Sequence, residues 1–276
     1  MGLLTIHLLL FALAQGVLSP IDESLGSSAP LDIGFREMYN LEFSDAHKTF
    51  QAYLMAHPED PFGPTSDGAA YLFDEFDRLG VLQTELFVDD EKFKGREKTS
   101  PDPTVRAEFH GALAQSQELA DAILQRSPND PNALFATVLN LGLESDYLAL
   151  VEKRDLASVA YTKRAGLAAE KLLAVDPTCY DAYLAIGVEN YILGLKPAPV
   201  RWLLRLYGAE TDKERGIQKL QLTATKGHYL MPFARLLLAV AALRDKHRNQ
   251  AKELLQDLVR EFPNNQLYRR ELSRLQ

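Results

Sequence analysis

The sequence predicts an all-α protein built from antiparallel pairs of helices. Apolar residues recur at spacings of three and four along most of the chain, which is typical of amphipathic helices, and the alternation of a β-strand is almost absent. Prolines in similar polar contexts follow several of these helical segments. The composition, 46% hydrophobic and 25% charged residues, is that of an ordinary globular protein.

The clearest pair of helices lies at the C-terminal end. Residues 249–262 carry one apolar face, and residues 233–243 carry another just before it. The polar link between them is so short that the two helices must pack antiparallel. Pro263 ends the second helix, because proline lacks a backbone N–H and restricts the residue before it.

The same ending recurs upstream in the chain. Pro58, Pro128 and Pro177 each close a helical segment and are each followed by polar residues that favour a turn or a new helix. A repeated helix–turn–helix–proline unit is typical of a solenoid. The prolines are unevenly spaced, so we expect insertions within the repeats.

The positions before these prolines resemble the tetratricopeptide repeat, a unit of about 34 residues. Small or bulky residues stand at the matching offsets, namely Gly34, Ala46, Phe50, Ser116, Ala120, Ala165, Ala169, Ala239, Ala251, Leu255 and Leu258. The resemblance covers residues 31–276 and is most specific over 34–61 and 228–276. It implies a right-handed superhelical solenoid of about five or six antiparallel hairpins.

The first 30 residues differ from the rest of the chain. Leu3–Ala14 is a short apolar run that ends in Ala12-Leu13-Ala14, a pattern typical of a secretory signal peptide. We therefore predict a signal peptide over residues 1–14 and export to the periplasm or the exterior; a short uncleaved anchor is the alternative. Residues 15–30 are rich in Ser, Gly and Pro, which predicts a flexible linker.

The helical repeat domain is predicted over residues 31–276, with two insert loops. One covers residues 93–104 and is charged, and the other covers residues 193–211 and contains the single tryptophan, Trp202. Each loop either carries function or caps an exposed helix end. No later stretch of the chain is apolar over the length of a membrane span, so we expect no integral span in the mature chain.

Charge and motifs exclude several classes of function. Acidic residues outnumber basic ones by 38 to 30, for a net charge of −8, which argues against a nucleic-acid partner. The phosphate-binding loops, the serine elbow and the zinc-binding helix motif are all missing from the sequence. The histidines do not pair at metal-ligand spacing. We therefore predict a protein that is not an enzyme and that needs no metal and no cofactor.

Two features of the sequence, the single cysteine and an acidic stretch, each have two interpretations. The single cysteine, Cys179, is either a small buried residue or a nucleophile, and the second needs a histidine beside it in space. The acidic stretch around Asp74, Glu75 and Asp77 is either a solvated helix face or the lip of a binding groove, and its spacing lacks the glycine of an EF-hand calcium loop.

Candidate binding residues follow from the resemblance. Tetratricopeptide domains line their concave surface with residues of the first helix of each hairpin. The matching positions here include Asn140, with Glu144 one turn further on, together with Glu189, Asn190 and Arg244. Trp202 would join them if its insertion folds back over the groove. The basic residues with which this family clamps a C-terminal carboxylate are absent from the matching middle positions.

The sequence thus leaves two functions open. The first is a non-catalytic scaffold or adaptor that binds a protein partner, as a peptide or a helix, on its concave surface. The alternative is an accessory protein that binds a small ligand enclosed under the middle insertions. An open concave face would favour the scaffold, and a closed pocket lined by aromatic residues would favour the small ligand.

Overall fold

The computed structural model describes residues 24–82, 100–195 and 212–276. The regular structure of these residues consists of helices without any strand, which confirms the all-α class. None of the described helices combines the length and the apolarity that crossing a membrane requires. The predicted signal peptide lies outside the described residues, as do most of the two insert loops.

Eleven α-helices and one 3-10 turn are present in the described part of the chain. The helices are α1 (Ser24–Tyr39), α2 (Phe43–Ala56), α3 (Phe62–Leu79), α4 (Pro103–Arg126), α5 (Pro131–Leu150), α6 (Asp155–Val175), α7 (Tyr183–Gly194), α8 (Lys213–Lys226), α9 (Met231–Arg244), α10 (Arg248–Glu261) and α11 (Gln266–Ser273). The 3-10 turn, Tyr180–Ala182, comes directly before α7. Helix α1 begins inside the stretch predicted as a linker.

The helices pack in five consecutive pairs, with α11 added at the end. The most extensive contacts are those of α1 with α2, α3 with α4, α5 with α6, α7 with α8 and α9 with α10. Each proline singled out in the sequence follows the residue that caps the second helix of a pair, at α2, α4, α6 and α10. The helix-closing role of these prolines is therefore confirmed.

Small residues allow the two helices of each pair to approach closely. Ala46, Ala169 and Ala251 are completely buried between helices. Gly34 of α1 faces the ring of Phe50 on α2, and a Cβ atom on Gly34 would lie 2.4 Å from that ring. Glycine is needed at this position because any side chain would push the pair apart.

The first and last pairs of helices meet, although about 220 residues separate them in the chain. The turn after α1 bonds to the turn after α10: the Asn40 side-chain oxygen accepts from the Asn264 backbone N–H at 3.1 Å, and the Asn265 amide donates to the Tyr39 carbonyl at 2.7 Å. Tyr39 also packs against the ring of Phe262, with centroids 5.5 Å apart. In a simple solenoid each repeat contacts only its neighbours, so this contact between the ends is an addition to the predicted pattern.

Aromatic side chains fill the space between the two ends. Phe35 of α1 lies 4.7 Å from the Tyr229 ring before α9, and Phe73 of α3 lies 5.5 Å from Phe233 of α9, both measured between ring centroids. Packed aromatic pairs stabilise by about 0.5–1.5 kcal/mol beyond the area that they bury. The inner surface of the helix array is therefore largely core.

Candidate functional site

A cavity of about 80 Å³ remains at the centre of the molecule, where the first helices of the five pairs face one another. Every first helix contributes to its wall, and α6 and the 3-10 turn complete it. The lining residues are Phe35, Met38, Tyr39, Thr65, Ala69, Phe73, Val138, Leu139, Gly142, Leu143, Ser145, Asp146, Thr162, Ala165, Asp181, Leu184, Ala185, Val188, Leu230 and Phe233. The wall is mostly apolar.

Most polar groups in this wall are already paired within the protein. The Thr65 hydroxyl donates to the Asn140 side-chain oxygen at 2.6 Å, and the Ser145 and Thr162 hydroxyls bond to each other at 2.7 Å. The Tyr39 hydroxyl donates to a backbone carbonyl, that of Tyr229, at 3.0 Å. These hydrogen bonds satisfy the polar groups of the wall, because a buried polar group is stable only with a partner.

Asp181 is a buried carboxylate that holds a loop in place. Its oxygens accept three backbone N–H bonds, from His228, Tyr229 and Leu230, at 2.9–3.1 Å. Burial raises the pKa of Asp181 above its ordinary value, while these N–H donors act to lower it. The carboxylate thereby fixes the turn that leads into α9 and brings Tyr229 and Leu230 to the cavity.

Asp146 differs from every other polar group of the cavity. Among the described residues that line the wall, it is the polar side chain without a hydrogen bond or an ion pair to the protein. Burial raises the pKa of Asp146 to about 7, far above the ordinary range of an aspartate. The side chain is half-buried in the structure, and it faces the cavity. A half-buried carboxyl with a raised pKa and no partner among the described residues is a candidate for function.

Gly142 lies one helical turn before Asp146, in the middle of α5. A Cβ atom built on Gly142 would meet nothing within 4 Å, so close packing does not require glycine here. Glycine inside a helix costs roughly 1 kcal/mol relative to alanine. Its effect at this position is to leave space in the cavity next to the carboxyl of Asp146.

Two of the predicted binding residues, Asn140 and Glu144, lie on α5 outside the cavity wall. Asn140 is buried between helices, where its oxygen accepts from Thr65 and its amide donates to the Ser116 hydroxyl at 3.0 Å. Glu144 pairs with His110 of α4 at 3.3 Å. The structure therefore uses both side chains in contacts between helices.

Glu189 and Asn190 lie buried on α7 and also outside the cavity wall. Glu189 packs against α6 so closely that a Cβ atom on Gly166 would lie 1.9 Å from its carboxyl oxygen. The Asn190 amide donates to the Ile186 carbonyl at 3.0 Å, and its side-chain oxygen has no partner. Arg244 is the last residue of α9, and Trp202 lies outside the described residues. The five described residues of this predicted set thus do not line the cavity, and the role of all six in binding stays a prediction.

On α5 and α7 the predicted face of the helix is rotated from the face that meets the cavity. On α5 the wall is formed by Leu139, Gly142 and Asp146 rather than by Asn140 and Glu144. On α7 Val188 meets the cavity where Glu189 was predicted. One residue along a helix turns the side chain by about 100°. A signal was present in the sequence, since Asp146 stands on the apolar stripe that runs from residue 139 through 143 to 150.

The surroundings of the remaining candidates, Cys179 and Glu75, indicate structural roles. The Cys179 thiol is half-buried, and burial raises its pKa to about 11, which leaves it protonated and a poor nucleophile at neutral pH. Glu75 is buried and accepts two bonds from the Arg78 guanidinium at 2.6 and 2.7 Å. Within the described ranges no group of His, Cys, Asp and Glu side chains is arranged to hold a metal ion.

Comparison of the chain with protein-family models, with curated proteins and with solved structures found no match. The resemblance to tetratricopeptide repeats therefore rests on the sequence pattern alone. Inference about function rests on the cavity and on the groups that line it.

Proposed function

We propose that the protein binds a small, mostly apolar molecule in the central cavity. The observation that carries this proposal is a wall to which the first helices of all five pairs contribute, with an unpartnered carboxyl on α5. Ligand sites combine apolar walls with a few polar groups that orient the ligand. Here Asp146 supplies the polar group and the aromatic rings supply the walls. The proposal is one of binding and includes no reaction.

The size of the cavity limits the ligand. Roughly 10–15 Å³ is enough for one water molecule, and an apolar cavity of about 150 Å³ takes up benzene. The cavity here, about 80 Å³, is smaller than that but partly open, so it accommodates a short branched chain, or one small ring that extends toward its opening. The rings of Phe35, Phe73 and Phe233 in the wall suit such a body.

This geometry favours the small ligand over a peptide on the concave surface. A peptide or a helix needs an open groove along the first helices. That inner surface carries packed aromatic pairs between early and late helices, such as Phe73 of α3 with Phe233 of α9. The space that remains is far smaller than a helix.

Two further expectations from the sequence, the repeat architecture and export, are also proposed here. The helix pairs, packed in sequence order with small residues at their interfaces, are consistent with a tetratricopeptide-like superhelix, which we propose as one short turn whose ends meet. The apolar run Leu3–Ala14 leads us to propose export, which places the ligand in the periplasm or outside the cell. Sequencing the N-terminus of protein recovered from the host tests the second proposal, and a chain that still begins at Met1 would contradict it.

A substitution that fills the cavity tests the function. In Gly142→Leu the new side chain should occupy the space beside Asp146 without meeting other atoms at its Cβ. We expect toluene, a single apolar ring, to bind the unmodified protein in a titration followed by NMR and to lose at least tenfold in affinity in the variant. Gly111→Leu is the matched control, because Gly111 is exposed on α4 and also has open space at its Cβ.

The natural ligand can be sought with the same pair of variants. Protein purified from its own host is extracted with organic solvent, and the extracts of Gly142→Leu and Gly111→Leu are compared by mass spectrometry. A compound present in the second and missing from the first is the ligand that we expect. Equal toluene affinity in Gly142→Leu and Gly111→Leu would overturn the proposed function.

A protein partner is the second candidate, on the outer surface rather than the inner one. Leu156 and Leu167 lie on one face of α6, and their exposed fractions are 90% and 56%. Exposed apolar side chains on one face are typical of contact sites. Proteins of the host envelope that bind the unmodified chain should be lost in the double variant Leu156→Ser, Leu167→Ser, and retention of all of them would exclude this face.

A further inference from the structure

The groups around the cavity define the charge of its ligand. The titratable side chains among the described residues of the wall are Tyr39, Asp146 and Asp181. Asp181 already accepts three N–H bonds, and the Tyr39 hydroxyl already donates to a carbonyl. No described lysine, arginine or histidine belongs to the wall. An ionised Asp146 therefore has no countercharge among the described residues of the wall.

We propose that the ligand is a small organic cation, an amine with an apolar body, whose ammonium group pairs with the carboxylate of Asp146. This inference rests on the proposed function, since it assigns the ligand of the same cavity. The apolar body lies against the aromatic rings, and the ammonium group lies in the space that Gly142 leaves one turn away.

Three observations favour a cation over the other classes of ligand. Both carboxyl groups of the wall repel an anion, and no basic side chain of the described wall would compensate. A neutral apolar molecule would leave Asp146 without a partner, as it is now. An ammonium group instead supplies the missing partner, and a charge pair removed from water is strong when both of its members are satisfied.

Binding of a cation beside Asp146 can be recognised by the release of a proton from this carboxyl. Burial raises the pKa of Asp146 to about 7, so the carboxyl is protonated in most molecules at pH 6. An ammonium group stabilises the ionised form and lowers the pKa of the carboxyl. Binding of a cation therefore expels a proton from Asp146, close to one per site at pH 6 and close to none at pH 8.5.

The experiment uses a matched pair of probes, benzylamine and toluene, which share the ring and differ in the ammonium group. Titration calorimetry at pH 7.5 compares the full chain with Asp146→Asn. We expect benzylamine to lose at least tenfold in affinity in the variant, while the affinity of toluene stays equal or rises. Asp155→Asn, the same change at an exposed position at the start of α6, should alter neither probe.

Calorimetry in two buffers of different ionisation heat measures the released protons. Benzylamine should release close to one proton at pH 6 from the unmodified protein and none from Asp146→Asn, and toluene should release none from either. Equal loss of both probes in Asp146→Asn, or benzylamine binding without proton release, overturns the cation and leaves the cavity as a ligand site. Failure of both probes to bind the unmodified protein overturns the proposed function and this inference together.

Discussion

Two carboxyl groups in the wall of the same cavity have opposite surroundings. Asp181 lies where the 3-10 turn meets the loop before α9, and three backbone N–H groups donate to it. Asp146 lies on α5, and the described part of the protein offers it no donor. Burial raises the pKa of both groups, but N–H donors oppose this rise only at Asp181.

The difference separates a structural acid from a candidate functional one. The bonds of Asp181 satisfy this buried carboxylate and three N–H groups of the loop before α9, so its position is explained by the fold alone. No hydrogen-bond or ion-pair partner among the described residues explains Asp146, so a neutral residue of similar shape could replace it without the loss of such a bond. A group that costs stability and contributes none is expected where a ligand supplies the missing partner.

The largest effect should come from removing the structural acid. Asp181→Ala leaves three part-buried backbone N–H groups without their acceptor, and a fully buried group in that state costs about 1–3 kcal/mol. Since water will reach some of them, we expect a loss of about 3–5 kcal/mol in the free energy of unfolding, measured by denaturant titration. Asp146→Ala, the same truncation in the same wall, is the control and should cost far less. Equal losses in the two variants would show that Asp146 also has a structural role.

A smaller effect of opposite sign should follow from neutralising Asp146. Its pKa is raised in the folded state to about 7 and is about 4 in the unfolded chain, so ionisation destabilises the fold. This cost is absent below pH 4, grows as the pH rises from about 4 to about 7, and is complete above it. We expect Asp146→Asn to raise the free energy of unfolding by on the order of 2 kcal/mol at pH 8 and by almost nothing at pH 4.

Thermal or denaturant unfolding of Asp146→Asn across this pH range measures the difference. Asp155→Asn, at an exposed position, should show no such dependence on pH. A stabilisation that is equal at pH 4 and pH 8 would contradict a buried, unpartnered carboxyl.

The smallest expected effects come from glycine substitutions. The sign of the change in stability distinguishes a glycine that leaves space for a ligand from one that permits close packing. Gly142→Ala should stabilise α5 by about 0.5–1 kcal/mol, as Gly111→Ala should stabilise α4, because alanine is the better helix former and neither new Cβ meets an atom within 4 Å. Gly216→Ala should destabilise the protein, since its Cβ would lie 2.5 Å from the Tyr191 backbone nitrogen on α7. A loss of stability in Gly142→Ala would mean that packing, rather than a ligand, requires glycine at this position.

Local patterns in the sequence predicted the elements well. The spacing of apolar residues identified the helices, and prolines 58, 128, 177 and 263 marked the ends of four of them. Small residues such as Ala46 and Ala251 marked the interfaces within the pairs, and both are completely buried. These features depend on residues close together in the chain, so the sequence displays them directly.

The candidate site was less predictable, because its position depends on the rotation of each helix. Asn140 and Glu189 were predicted to face a groove, but they lie between helices, while Asp146 and Val188 meet the cavity. A rotation of about 100° decides between these faces. The apolar stripe that contains Asp146 was visible in the sequence, but nothing there showed that the carboxyl would lack a partner.

The sequence by itself determined the all-α class, the pairing of neighbouring helices and the ends of those pairs, because helix periodicity, proline and small residues act over a few turns. Only the tertiary structure decided that the turn after α1 bonds to the turn after α10 and that the first helices line a common cavity. Contacts between residues some 220 positions apart depend on the angles accumulated over all five pairs. No local sequence pattern predicts those angles. The cavity, and the lack of a partner for Asp146 among the described residues, are therefore seen only in the folded chain.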